Sequence, residues 1–273
     1  MSQALTSAEV AREREGAGED LKESFEVGRE GGVGGANRWP EEEEEEEAGQ
    51  GQGGGFDARG FRETMQEFFE RGKELHRVVM RGVAMALGLE AGFFDGFVGA
   101  GDNTLRLLHY PPVPKRVFQE GRVRAGAHSD YGSVTLLFQD TRGGLQVEDP
   151  SGEEGWVDVG PREGCVVVNA GDLLARWSNG LVRSTKHRVV EPPLVGGHGG
   201  RGGAADGDGR GGRGGAAGGD VVPARYSVAY FCNPDFDRWI EALPGTYGGE
   251  RGGKRWEGIN SGEYLEQRLS ATY

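Results

Sequence analysis

Seven short runs follow one another after Asn103: "TLRLLHY", "SVTLLF", "GLQVED", "GWVDV", "CVVVN", "TKHRVV" and "RYSVAYFC", separated by Gly, Pro, Asp and Asn. Runs this short cannot complete the turns an amphipathic helix needs, but they suit strands whose side chains alternate between two faces. Many short strands divided by turn residues predict a mainly β chain, closed as an antiparallel sandwich or barrel.

Helical periodicity is confined to the flanks. Phe61, Met65, Phe68, Phe69, Leu75, Val79, Val83 and Leu87 recur at helical spacing, with Asp57 placed to cap the start and Gly88 to stop the end. The closing stretch "SGEYLEQRLSATY" predicts a second, shorter helix with Ser261 as its cap and Tyr264, Leu265 and Leu269 on one side. The expected organisation is therefore a partly disordered N-terminal region (1–55), a helical segment (56–100), a β core (101–240) and a C-terminal segment (241–273). The unbroken acidic run from Glu41 to Glu47 and the glycines after it read as an insert in the first region. In the core, 14 of the 24 residues from Gly196 to Gly219 are glycine, so residues 196–220 are expected to bulge out between two strands without ordering themselves.

A formal charge of −13 argues against a duplex nucleic-acid binder. The Arg-Gly-Gly triplets at Arg201, Arg210 and Arg213 resemble RNA-binding tails but lack interleaved aromatics. No apolar run reaches spanning length and no leader-like start is seen, so the expectation is a cytoplasmic protein that binds neither nucleic acid nor membrane. Only Cys165 and Cys232 are present, each in an apolar run, and both are expected to be buried, reduced thiols; two cysteines cannot form a thiolate zinc site.

The chemistry-bearing residues begin with "GAHSDYG". Residues i and i+2 of a strand point the same way, so His128 and Asp130 would offer an imidazole and a carboxylate to one point. His187, in a strand-like run of the later sheet, can complete two histidines and one carboxylate on a β scaffold, the ligand set of non-haem iron(II) oxygenases. Arg225 and Ser227 share another strand face and suit a carboxylate held by a guanidinium fork and a hydroxyl.

Taken in order, "KESFEVG", "RLLHYPP", "AHSDYGSVTLLFQD", "GGLQVED", "WVDV", "VVVNAGDLLARWSNGLVRSTKHRVV", "RYSVAYFCNPDFD" and "GEYLEQRL" resemble the iron(II) and 2-oxoglutarate-dependent oxygenases of the isopenicillin N synthase-like group, over most of residues 20 to 273. The resemblance implies a double-stranded β-helix (jelly-roll) core with flanking helices. It implies that His128, Asp130 and His187 hold Fe(2+), that Arg225 and Ser227 hold the distal carboxylate of 2-oxoglutarate, and that Tyr110 helps hold this co-substrate. The implied reaction consumes O2, releases succinate and CO2, and hydroxylates or desaturates a small organic molecule, and the protein is expected to be a monomer.

Three departures accompany the resemblance. Leu108 stands where the family usually has Asn; 37 residues separate His187 from Arg225; and the customary strand ahead of "KESFEVG" is expected to be missing. Rival readings are an oxidase with the same iron triad that does not use 2-oxoglutarate, and a non-catalytic jelly-roll binding module or truncated gene product. His76 and His109 are assigned to packing, and His198 to solvent. Asn169, Gly171, Asp172, Ser178 and Asn179 are assigned to turns, and Trp156 and Trp177 to the core. Gln146, Val168 and Phe231 are strand positions that pack or line a pocket.

Overall fold

The computed structural model describes residues 20–32, 35–40, 56–149, 151, 155–192 and 221–272. The seven-residue acidic run, His198 and the glycine-rich stretch from Gly196 to Gly219 lie outside these residues.

Among the described residues thirteen strands appear in the order β1 (Glu23–Gly28), β2 (Thr104–Tyr110), β3 (Val113–Pro114), β4 (Ala125–His128), β5 (Val134–Gln139), β6 (Leu145–Glu148), β7 (Trp156–Asp158), β8 (Val167–Ala170), β9 (His187–Val189), β10 (Val221–Val222), β11 (Arg225–Cys232), β12 (Trp239–Ile240) and β13 (Ile259–Asn260). Two sheets carry the fold: a five-stranded one ordered β1-β2-β11-β5-β8 and a four-stranded one ordered β4-β9-β6-β7. Every pairing is antiparallel. Neighbours such as β2 and β11 are far apart in sequence, which is the mark of strands wound in jelly-roll fashion and not joined as simple hairpins.

β11 shows why the sequence pattern works. Arg225, Ser227 and Ala229 are buried while Tyr226 is 58% exposed, so one face of this central strand looks into the molecule. That face carries charge as well as apolar bulk, which marks a site and not simply a core.

The helix α1 (Ala58–Ala86) covers the five-stranded sheet. Asp57 caps it, its carboxylate accepting from Gly60 N at 2.7 Å, and Gly88 follows its end at φ +76°, where a side chain would be strained. The deepest stripe is Phe69, Gly72, His76, Met80 and Ala84, at steps of three and four. Met65, Phe68, Leu75, Val79, Val83 and Leu87 border it. The helix comes so close at Gly72 that a Cβ there would meet the Tyr230 ring at 2.6 Å; Tyr230 in turn donates its hydroxyl to Phe69 O at 2.8 Å.

The remaining helices are α2 (Arg116–Gln119), α3 (Asp172–Trp177) and α4 (Ser261–Thr272). Trp177, 1% exposed, anchors α3 in the core against Phe94 and Phe97. On α4 the expectation needs correction. Asn260, not Ser261, accepts from Glu263 N, while Ser261 donates to Pro234 O. The buried stripe is Ser261, Tyr264 and Arg268, and Leu269 faces solvent. Arg268 displaces leucine because its guanidinium meets Asp172 at 3.2 Å on the neighbouring layer.

Two further expectations fail. Cys232 is a buried thiol, but Cys165 is exposed, because it lies in a loop ahead of β8. Trp156 is only half-buried and lies under the Arg188 guanidinium, 4.2 Å from the ring centroid, on β7 at the sheet edge. No described helix is long and apolar enough to cross a membrane.

Candidate metal centre and anion pocket

His128 and His187 sit directly opposite one another on β4 and β9. The register carries one extra residue on β4: Ala125 pairs with Val189 and His128 with His187, so three steps on one strand match two on the other. In a regular strand Ala125 and His128 would face opposite ways. The bulge turns both toward the side shared by His187 and Val189.

Asp130 does not share a strand with His128, as the i, i+2 argument supposed; β4 ends at His128 and Asp130 is the second residue of the following loop. That loop is fixed by backbone bonds to the start of α3: Asp172 N to Asp130 O at 2.8 Å, Leu173 N to Tyr131 O at 3.2 Å and Gly171 N to Ser133 O at 2.9 Å. Contact is so close that a Cβ on Gly171 would stand 2.3 Å from Gly132 O, and one on Gly132 would stand 2.3 Å from Cys232 O. Glycine is required at both positions by proximity of backbone.

The result is convergence. One ligand-capable atom from each of His128, Asp130 and His187 lies within 4.8 Å of the others. The imidazole centroids are 4.3 Å apart, and His187 Nε2 is 3.7 Å from Asp130 Oδ1. His128 Nδ1 meets Gly126 O at 2.7 Å and His187 Nδ1 meets Thr185 O at 3.4 Å, which places the ring protons on Nδ1 and leaves each Nε2 lone pair for a cation. Burial first, and the His187 ring second, push the His128 pKa down to about 4, so the imidazole is neutral near pH 7. Burial opposes ionisation of Asp130, but the two histidines and hydrogen bonds from Thr135 and Asn169 outweigh it and hold the carboxyl below its ordinary value. Two imidazoles and a carboxylate suit a divalent ion of the first transition row.

Asn169, assigned to a turn from sequence, belongs here: its Nδ2 donates to Asp130 Oδ2 at 2.9 Å. It reaches the acid from β8 in the other sheet. Ser178 and Asn179 do serve backbone and loop geometry, but the Asp172 carboxylate instead takes the Arg268 guanidinium at 3.2 Å and the Tyr264 hydroxyl at 3.0 Å. Asn179 adopts φ 51° and bonds Thr246 O, Gly253 O and Arg255 N.

Below the metal residues lies a small apolar cluster of Tyr110, Ala125, Leu145 and Val189. It joins the sheets, and Tyr110 is its member from β2. Tyr110 is the register partner of Arg225, whose guanidinium lies 5.1 Å from the Tyr110 ring centroid. Arg225 is fully buried and held by Ser227 Oγ at 3.0 Å, Gln139 Oε1 at 3.2 Å and Gly143 O at 3.0 Å. None of these partners is a carboxylate, so no acid is bonded to this buried fork, which suits an incoming anion. Gln139 was not legible from sequence as part of this pocket.

Elsewhere the expected assignments divide. His109 pairs with Glu23 at 2.8 Å and stacks on Tyr226, as a packing residue. His76 is buried on α1 and bonds Ser133 Oγ at 2.9 Å. Val168 is 49% exposed and lines no interior space, whereas Gln146 bonds Asp158 and Arg188 across the small sheet. Phe231 lies under Arg106, 5.0 Å from guanidinium to ring.

Residues 101–234 match the 2OG-Fe(II) oxygenase superfamily. A 2-oxoglutarate-dependent dioxygenase of Aspergillus rugulosus is 34% identical over 241 residues, covering 88% of this chain and 63% of the relative. A proline hydroxylase of Petromyces alliaceus is 32% identical, covering 93% of this chain and 69% of the relative. Among solved structures, a full-length Neurospora crassa protein in complex with alpha-KG is 48% identical with a TM-score of 0.77, covering all of this chain and 70% of that one. The same protein with alpha-KG and thymine gives 49% and 0.76, over 100% and 71%. The chain thus spans somewhat under two thirds of some curated relatives, 63% of the first named here, and about 70% of the Neurospora protein. With the histidine, aspartate and arginine geometry already in place and identity at this level across both sheets, the chain belongs to the 2OG-Fe(II) oxygenase superfamily.

Proposed function

We propose that the chain is a non-haem iron(II) and 2-oxoglutarate-dependent oxygenase that oxidises a small organic molecule by hydroxylation or desaturation, releasing succinate and CO2. The observation that carries this reading is the convergence of His128, Asp130 and His187 within 4.8 Å. The donor set fits iron(II): both imidazoles present Nε2 and the buried acid is ionised. When bound, the metal supplies the oxygen chemistry that no side chain can perform.

The chain's own residues bind and orient. Asn169 fixes the Asp130 carboxylate, Gly126 O and Thr185 O fix the imidazoles, and Arg225 with Ser227 receives the distal carboxylate of 2-oxoglutarate against Tyr110. The two sheets and their apolar cluster exclude water around these groups. For the substrate, a planar pyrimidine-class heteroaromatic is the leading choice, because the Neurospora protein that is 49% identical was solved with thymine. A monomer in the cytoplasm, engaging neither nucleic acid nor membrane, completes the reading; the −13 charge supports the nucleic-acid part.

Purified chain supplied with iron(II), 2-oxoglutarate, O2 and thymine should form succinate, and His187→Ala should abolish it. Turnover that persists in His187→Ala contradicts the assignment. Succinate formed only with a different small molecule would keep the enzyme class and replace the substrate.

A further inference from the structure

A second arginine in the anion pocket has no counterpart in the sequence argument. Arg124 immediately precedes β4 and is fully buried. Its Nη2 donates to Pro223 O at 2.6 Å, but its buried Nε and Nη1 have no hydrogen-bond partner among the described residues. Its guanidinium stands 5.8 Å from the Tyr110 ring centroid and 5.9 Å from that of Phe118.

Arg225 approaches the same Tyr110 ring to 5.1 Å. The two guanidiniums therefore share one aromatic neighbour, and they are close enough to repel: burial first and the Arg225 charge second lower the Arg124 pKa from its ordinary value. Two buried cations side by side are costly unless a negative charge joins them. Arg124 also feels the Asp140 carboxylate, which accepts from the backbone N–H groups of Tyr226 and Arg142 and makes no hydrogen bond to either guanidinium among the described residues. Aromatic faces and a single carbonyl leave the charge of Arg124 uncompensated. A planar carboxylate can accept from two forks at once, one for each oxygen.

We infer that Arg124 is a second binding residue for the distal carboxylate of the 2-oxo acid co-substrate, which Arg124 and Arg225 grip from two sides beside Tyr110. The inference rests on the proposed function, and adds that selection for a dicarboxylate depends on two cations. An acid with the same chelating end and no distal charge should not sense Arg124.

The test is anaerobic titration of the iron(II)-loaded full chain, followed by the absorption band between metal and chelating keto acid. 2-Oxoglutarate is compared with 2-oxobutanoate, which ends in a methyl group. Arg124→Gln should raise the dissociation constant for 2-oxoglutarate about tenfold or more, as expected for loss of one charge-assisted contact, while changing that for 2-oxobutanoate less than about twofold. Arg124→Lys should fall between, and decides by the same comparison if Arg124→Gln does not fold. Unchanged 2-oxoglutarate binding in the variants overturns the inference. Equal weakening for both acids also overturns it, by showing that Arg124 only supports the fold. If wild-type chain gives no band with 2-oxoglutarate, or Arg225→Gln binds it normally, the underlying functional reading falls instead, and the inference with it.

Discussion

Asn169 shows how one amide can set the quality of a metal site. Its bond to Asp130 Oδ2 at 2.9 Å fixes which carboxylate oxygen turns toward the histidines, and no other side-chain amide makes that contact among the described residues. Replacing Asn169 with Ala should therefore weaken divalent metal binding by about 10- to 100-fold, the usual effect of removing a group that orients a ligand. Manganese(II) titration monitored by calorimetry would measure it; affinity equal to wild type would show that Thr135 and the backbone suffice to hold Asp130. His76 is a residue-scale case of a different kind. Burial first, and Arg77 second, lower its pKa to about 3, against 6.5 when unfolded. Above pH 6.5 neither state binds the proton; below it the unfolded chain does and the folded chain does not, so stability falls as pH falls toward 3. At pH 5.5 this group alone should remove about 1 kcal/mol relative to pH 7.5. Urea unfolding of the metal-free chain should show that extra loss in wild type and not in His76→Gln. Equal pH dependence in both would place the titration elsewhere. The metal site was legible because His128, Asp130 and His187 came together with Arg225, Ser227 and their flanking motifs; a His-x-Asp pair alone is common in surface turns. Arg124, Gln139 and Asn169 were not legible, since their roles come from strands and loops that meet only after folding.

At the scale of elements, α1 and α4 teach opposite lessons. The periodicity of α1 was plain in sequence, but its closest contact falls on Gly72, a residue with no hydrophobic signal at all. Gly72→Ala would drive a methyl into the Tyr230 ring, where the nearest carbon is 2.6 Å from an ideal Cβ. The helix or the ring must move, and the expected loss is about 1–3 kcal/mol, read as a lower urea midpoint. A neutral or stabilising effect, as propensity alone would give, would show that α1 is free to shift. On α4 the sequence pattern chose Leu269 for the interior and the structure chose Arg268. Hydrophobicity ranks side chains by their aversion to water, whereas Arg268 is buried because Asp172 and Ser129 wait for it, at 3.2 Å and 3.4 Å. Its guanidinium also lies 4.7 Å from the ring centroid of Tyr131, the residue after the metal-binding Asp130. Arg268→Ala removes the cation from the partly buried Asp172, which keeps the Tyr264 hydroxyl, and should cost about 1–3 kcal/mol. A thermal midpoint unchanged from wild type would rule out this bracing role for α4.

For the whole molecule, the governing fact is that the reactive groups come from both sheets. His128 and His187 are on the four-stranded sheet, Arg225, Ser227, Tyr110 and Asn169 are on the five-stranded one, and Asp130 lies in the loop between β4 and β5 that links them. Closing the two layers over one apolar cluster is thus also what assembles the site, so folding and metal affinity are coupled. The β rhythm of the sequence was enough to foresee an antiparallel sandwich or barrel, because alternation reports which face is inward. It could not foresee the β4 bulge that aims His128, since one extra residue in a strand leaves no compositional trace. The most direct measurement is a crystal structure of the chain grown anaerobically with manganese(II) and 2-oxoglutarate. The account predicts one ion bound by both Nε2 atoms and the Asp130 carboxylate, with the far carboxylate of the co-substrate on Arg225; an ion bound elsewhere, or any of the three side chains turned away from it, would contradict it.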